Sequence, residues 1–178
     1  EAMVARYNAD LANNLGNLYS RCLTLIAKNY SGRLHETARR EPGEIHADVD
    51  TETTAKQVQA HIEACQYSQA LERIWRQILD PATRYADKME AWKLVKTDLE
   101  GAKLVLFDLV EQLRIVAILL KPFIPRSAEA IYKSFNFPTP WENVTYADAA
   151  VLTAQPDDLR VTAELVDGKP KPLFKRIE

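Results

Sequence analysis

Apolar residues recur at helical spacing from the start of the chain. Val4, Leu11, Leu15, Leu18, Cys22 and Leu25 fall three, four and seven apart, which puts them on one face of a helix over about residues 4–30. Ser31-Gly32 punctuates its end, with Gly32 placed to cap the last turn. Residues 33–50 mix charges with Pro42 and Gly43 and predict a loop with at most short helical pieces. Asp50 or Thr51 offers an N-cap to a second helix running to about Leu79. Asp80-Pro81 reads as a break, with Pro81 in the first turn of a third helix that continues to about Lys96. Asp98 begins a fourth helix that ends at Lys121-Pro122, and its core face is Val105, Leu109, Leu113, Val116 and Leu120. The run from Ile115 to Leu120 is apolar all round, so this helix belongs at the centre. Ile124-Pro125 starts a fifth helix that ends near Tyr132 or Ser134.

Short connections between five helices predict an all-α fold, an antiparallel helix bundle with an irregular or extended C-terminal tail. The bundle takes residues 1–138. Residues 139–178, interrupted by Pro140, Pro156, Pro170 and Pro172, form a tail of loops and extended chain packed on it. The chain opens Glu1-Ala2-Met3 without a basic-then-apolar leader and reads as a piece of a longer protein. No run reaches the roughly 18 apolar residues of a membrane span. A net charge of −2 over 178 residues is no footprint for bulk nucleic-acid binding, so any RNA site must be local. Cys22 and Cys65 stand outside any CxxC or Cys/His cluster; they read as buried hydrophobes in a reducing cytosol.

Catalytic motifs are missing: there is no GxxxxGK[ST], no GxGxxG and no GxSxG. His35, His46 and His61 each stand alone, and none has a Glu three residues earlier, as a di-iron bundle requires. The first two fit a solvated loop and the third a helix surface. No catalytic or metal-binding residue is assigned.

Two features stand out from that background. Opposite the apolar face of the first helix, Asp10, Asn14, Asn17, Arg21, Thr24 and Lys28 follow spacings of four and three, a continuous polar stripe. A solvated face more often uses Glu, Lys or Arg than Asn. Asn17 and Arg21, one turn apart, offer amide and guanidinium groups suited to the polar edge of a nucleobase; on pattern alone a solvated helix face with a polar pair four residues apart is the simpler reading. On the third helix Tyr85, Met89 and Trp92 align, with Lys88, Lys93 and Lys96 nearby. Aromatic and basic residues in that pattern suit stacking on an unpaired base, and they also suit core packing. Trp75 and Trp141 have no such company and fit packing.

Four stretches carry a family likeness. They are Arg6 to Arg21; Ala70 to Lys96, with its Ala-Leu, Ile-Trp, Tyr and Trp-Lys-Leu-x-Lys order; Leu120 to Pro125 followed by Ser127 to Ile131; and Gly168 to Phe174 with Arg176-Ile177. Together they resemble the C-terminal anticodon-binding domain of methionyl-tRNA synthetases, class I aminoacyl-tRNA synthetases. The resemblance implies that Asn17 and Arg21 read the anticodon and that Trp92 stacks on its bases. Asn14, Lys28, Lys88, Lys93 and Lys96 become candidates for tRNA backbone contacts. It implies the CAU anticodon loop of methionine and initiator tRNA as partner, in the cytoplasm, with no DNA and no membrane. The HIGH-like and KMSKS-like motifs of a catalytic domain do not occur in these residues. ATP with Mg, and any zinc, would therefore belong to that domain of the same chain, against which Leu173 to Ile177 would dock. Many members have proline before the tryptophan; here it is Ala91, and the third helix is expected to run on through it. The alternative reading is a helical protein–protein interaction domain with an exposed apolar groove.

Overall fold

The most apolar segment sets the architecture. In the computed structural model, which describes residues 2–35, 49–151 and 158–177, the helix Leu99–Leu120 runs through the middle, and eighteen of its 22 residues are buried. Asp98 caps it, its carboxylate accepting from the Gly101 N–H at 2.9 Å. Around it pack a first helix over residues 2–30, a second at Thr51–Glu63, a third over residues 67–89 and another at Pro125–Tyr132. The all-α bundle read from the sequence is therefore the observed fold. Asp50 caps the second helix through the Thr53 N–H, as its position predicts. Ser31 and Gly32 both turn left-handed at the end of the first, and their N–H groups bond back to the Ile26 carbonyl.

Several boundaries differ from expectation. The predicted helix over 51–79 folds back on itself at residues 64–66, where Cys65 takes φ 58°. No glycine or proline marks that turn. It is held by the Gln66 N–H on the His61 carbonyl at 2.7 Å and by His61 Nδ1 against Gln66 Oε1 at 2.8 Å. Asp80-Pro81, expected to break a helix, lies inside one. The stretch Trp75–Leu79 is π-helical, and the Asp80 N–H reaches back five residues to the Trp75 carbonyl. The wider turn accommodates a proline ring that would strike the carbonyl four residues back in a regular α-helix. The first helix has its own π stretch, Asn8–Leu15, closed by the Gly16 N–H on the Leu11 carbonyl. The third helix stops at Met89 instead of running to Lys96, and Ala91–Leu94 forms a separate single turn.

The tail is more ordered than its prolines suggest. Trp141–Asn143 makes a 3-10 turn and Tyr146–Ala150 a short helix with a Thr145/Asp148 capping box. Arg33–His35 (β1) pairs antiparallel with Asp158–Arg160 (β2), so the expected loop after residue 32 begins as a strand; residues 36–48, with His46, lie outside the described set. Hydrogen bonds from Arg33 and Arg160 hold the Asp158 carboxyl well below the usual carboxylate range. Leu165–Val166 (β3) and Lys169–Pro170 (β4) form a hairpin whose two turn residues, Asp167 and Gly168, both have positive φ.

A buried ion pair ties the tail to the bundle. Arg114 on the central helix donates through Nε and Nη2 to Glu111, at 2.5–3.0 Å, with both side chains about 5% exposed. Its Nη1 and Nη2 also reach the Asp148 and Val151 carbonyls, each at 3.0 Å. Removing one member of a buried pair costs about 3–5 kcal/mol, because the remaining charge loses that partner's attraction in a desolvated site. Arg114→Met is therefore expected to lower the melting temperature by roughly 10 °C, measured by circular dichroism.

Candidate nucleic-acid interface

The polar residues of the first helix divide by partner. Asn14 is engaged at both ends of its amide: Nδ2 donates to Asp80 Oδ1 at 3.2 Å, and Oδ1 accepts from the Thr83 hydroxyl at 2.7 Å. It joins the first helix to the third. The π stretch shifts the helical phase through this region, which is why the 3.6-residue stripe does not persist as one exposed row. Asp10 pairs with Arg6 at 3.0 Å.

Two further amides hold the end of the chain. Asn13 Oδ1 accepts from Arg176 Nη2 at 2.6 Å and Nε at 3.1 Å. Asn8 makes a two-way clasp with the Ile177 backbone, donating at 2.8 Å and accepting at 3.0 Å. Phe174 sits edge-on to Tyr7, with centroids 6.3 Å apart. It also lies over Gly16, where a Cβ would come within 3.4 Å of the ring and 3.1 Å of the Leu11 carbonyl oxygen. The segment expected to dock on another domain thus lies along the first helix.

Asn17 and Arg21 remain presented to solvent. Asn17 is exposed, makes no side-chain hydrogen bond among the described residues, and borders a cleft of about 300 Å³ with Ser20, Pro172, Phe174 and Arg176. One turn on, Arg21 places its guanidinium carbon 5.1 Å from the centroid of the Trp92 ring. The structure therefore brings together the two residues singled out on separate helices. Asp87, which sequence reasoning missed, stands 3.6 Å from Arg21. Only the juxtaposition of the first and third helices reveals it. Arg21 and Asp87 are 48% and 61% exposed, so water screens the pair to about 0–1 kcal/mol. An exposed cation–π contact contributes about 0.5–1 kcal/mol. Both are enough to orient Arg21 and too weak to prevent exchange for a ligand.

The other aromatic candidates separate. Tyr85 is half-buried and donates its hydroxyl to the buried Asp108 at 2.8 Å, so it belongs to the core boundary. Met89 is exposed. Lys28, Lys88 and Lys96 are exposed, and Lys93 is held by Glu90 at 2.7 Å. Trp75 and Trp141 pack against or within the core, as expected. Cys22 is 1% exposed, and burial pushes its thiol up to about 12. Cys65, expected to be buried, is exposed at the left-handed turn. No group of three or more His, Cys, Asp or Glu side chains among the described residues could hold a metal.

This helical domain spends three asparagines on its own fold and leaves an exposed Asn and Arg beside a half-buried indole, an arrangement suited to binding. A family model described as the anticodon binding domain of methionyl tRNA ligase matches residues 36–178, and the chain belongs to that family. A methionine–tRNA ligase of Caldanaerobacter subterraneus is 33% identical over 153 residues, 82% of this chain and 24% of that protein. The Bacillus subtilis methionine–tRNA ligase is 31% identical across the whole chain, covering 26% of that protein. The chain thus spans about a quarter of the length of these relatives. The apo methionyl-tRNA synthetase of Mycobacterium tuberculosis superposes over the full chain with a TM-score of 0.78 at 30% identity, across 34% of that structure.

The amide bridge between the two helices gives a direct test. Asn14→Ala removes two half-buried hydrogen bonds, each contributing about 0.5–1.5 kcal/mol. The expected outcome is a melting temperature lower by several degrees with the helical circular dichroism spectrum retained.

Proposed function

We propose that this domain reads the CAU anticodon of methionine and initiator tRNA for a cytoplasmic methionine–tRNA ligase. The observation that carries the reading is the Arg21 guanidinium over Trp92, with the unengaged Asn17 amide one turn away. Single-stranded RNA is usually recognised in loops, where splayed bases expose their pairing edges and stack on aromatic or guanidinium planes. Asn17 and Arg21 supply donors and an acceptor to the edge of the first anticodon base. Trp92 supplies a face for stacking. An incoming base takes over contacts that Arg21 makes with Asp87 and the indole, at low cost because both are solvent-screened.

Asn14, although placed on the same helix, serves the reading from below by fixing the first helix against the third. Lys28, Lys88, Lys93 and Lys96 meet the phosphodiester backbone and contribute affinity without sequence information. The ligase chemistry, with ATP and Mg and any zinc, is assigned to a catalytic domain of the same chain outside these residues. The bundle with its C-terminal tail contributes position.

The test uses the full-length ligase. Arg21→Ala and Trp92→Ala are each expected to lower kcat/KM for methionine tRNA by roughly 10- to 100-fold, matching the ~1–3 kcal/mol of one stacked or hydrogen-bonded base. Methionine-dependent ATP–pyrophosphate exchange should be unchanged. Discrimination against tRNA with an altered first anticodon base should fall most in Arg21→Ala. Wild-type aminoacylation by both variants would sink the assignment. Removing the charge of Lys28, Lys88 or Lys96 should instead weaken all tRNAs alike and reduce the slope of log affinity against log salt by about 0.7 per residue.

A further inference from the structure

Glu90 stands at the junction that sets the direction of Trp92. It is one of four non-glycine residues with positive φ among those described, at φ 44° and ψ 50°. Its N–H closes the last turn of the third helix on the Ala86 carbonyl at 3.1 Å. Its own carbonyl accepts from the Lys93 and Leu94 N–H groups at 2.7 and 3.0 Å, opening the next turn. Its carboxylate holds the Lys93 ammonium at 2.7 Å. One residue thus ends one helix and starts another. The single turn Ala91–Leu94 then sends Ala91 inward, 2% exposed, and Trp92 outward to Arg21. Had the third helix continued without this break, residue 92 would keep the phase of Tyr85 and Met89 on the third helix's own axis. A left-handed backbone is unfavourable for a side chain with a Cβ and persists only where surrounding structure enforces it. Here the enforcing groups are the two backbone bonds to the Glu90 carbonyl and the buried Ala91.

We infer that Glu90 is a positioning residue for Trp92: its left-handed backbone fixes the angle at which the indole is presented beneath Arg21 to the RNA. The inference rests on the reading of Trp92 as an RNA contact. It assigns to residue 90 a conformational requirement that glycine meets and a β-branched residue does not.

The experiment compares Glu90→Gly, Glu90→Val, Trp92→Ala and the double variant Glu90→Val/Trp92→Ala in the full-length ligase. Expected for Glu90→Gly are a wild-type KM for tRNA and an unchanged or higher Tm. Expected for Glu90→Val is a KM for tRNA raised about tenfold, with ATP–pyrophosphate exchange and kcat retained. In the double variant the valine should add less than twofold to the Trp92→Ala defect, because residue 90 acts through the indole. An unchanged KM in Trp92→Ala removes the RNA reading itself. A defect in Trp92→Ala with none in a folded Glu90→Val, or two defects that multiply, overturns the positioning role while leaving that reading intact. Should the valine variant not fold, Glu90→Ala against Glu90→Gly decides, since both lack the carboxylate and only alanine strains the left-handed backbone: a KM raised in the alanine variant and normal in the glycine variant upholds the inference, and equal KM values in the two overturn it.

Discussion

Burying the central helix, eighteen of whose 22 residues are enclosed, is the constraint from which the rest of the structure follows. Its run from Ile115 to Leu120 is apolar all round and has no solvent face, so other elements must enclose it. The first, second and third helices, Pro125–Tyr132 and the short helix Tyr146–Ala150 meet that requirement. Enclosure also explains the polar groups inside it. Lys103, Asp108, Glu111, Gln112 and Arg114 sit on this helix and are buried. Arg114 is tolerable there because Glu111 and two tail carbonyls receive its donors. The same contact draws residues 146–151 onto the bundle, so the tail forms part of the enclosure.

The candidate binding surface is a by-product of how two outer helices are joined. Asn14 bonds to Asp80 and Thr83 from within one π stretch to just beyond another. This bridge brings the first helix beside the third, and Arg21 then meets Trp92 and Asp87 two turns further along. Irregular helical turns often mark functional sites because they re-aim side chains without ending the helix. Here two such stretches and one left-handed residue aim the candidate RNA contacts from a rigid frame.

Much of the fold was legible because its signals are local. Asp50 and Asp98 cap where they should, Gly32 closes the first helix, and the apolar run around Ile115 identifies the central helix. The turn at Cys65 was not legible: no breaker residue is there, and the reversal comes from packing the second helix against the third. Pro81 misled for the opposite reason, since a π turn absorbed it. Asp167-Gly168 was a readable hairpin signal that the prolines around it obscured. At the candidate site, Asn17, Arg21 and Trp92 could be named from the chain. Asp87 could not, because no spacing in one dimension reports a contact across two helices. The asparagines explain the rest of that uncertainty: identical side chains at 8, 13, 14 and 17 hold the chain end, bridge two helices or face solvent, decided by what lies opposite each.

The Asn8 clasp on Ile177 closes the chain into a near-ring, with residues 169 apart in sequence held by two hydrogen bonds. Fraying at either end is therefore coupled: melting the first turns of the first helix frees the final residues, and peeling the final residues exposes Gly16 and Tyr7. In topological terms the two ends of the described chain meet at one corner of the domain. A neighbour attached there can pull on the first helix, and through its Asn14 bridge on the third, along a single mechanical line.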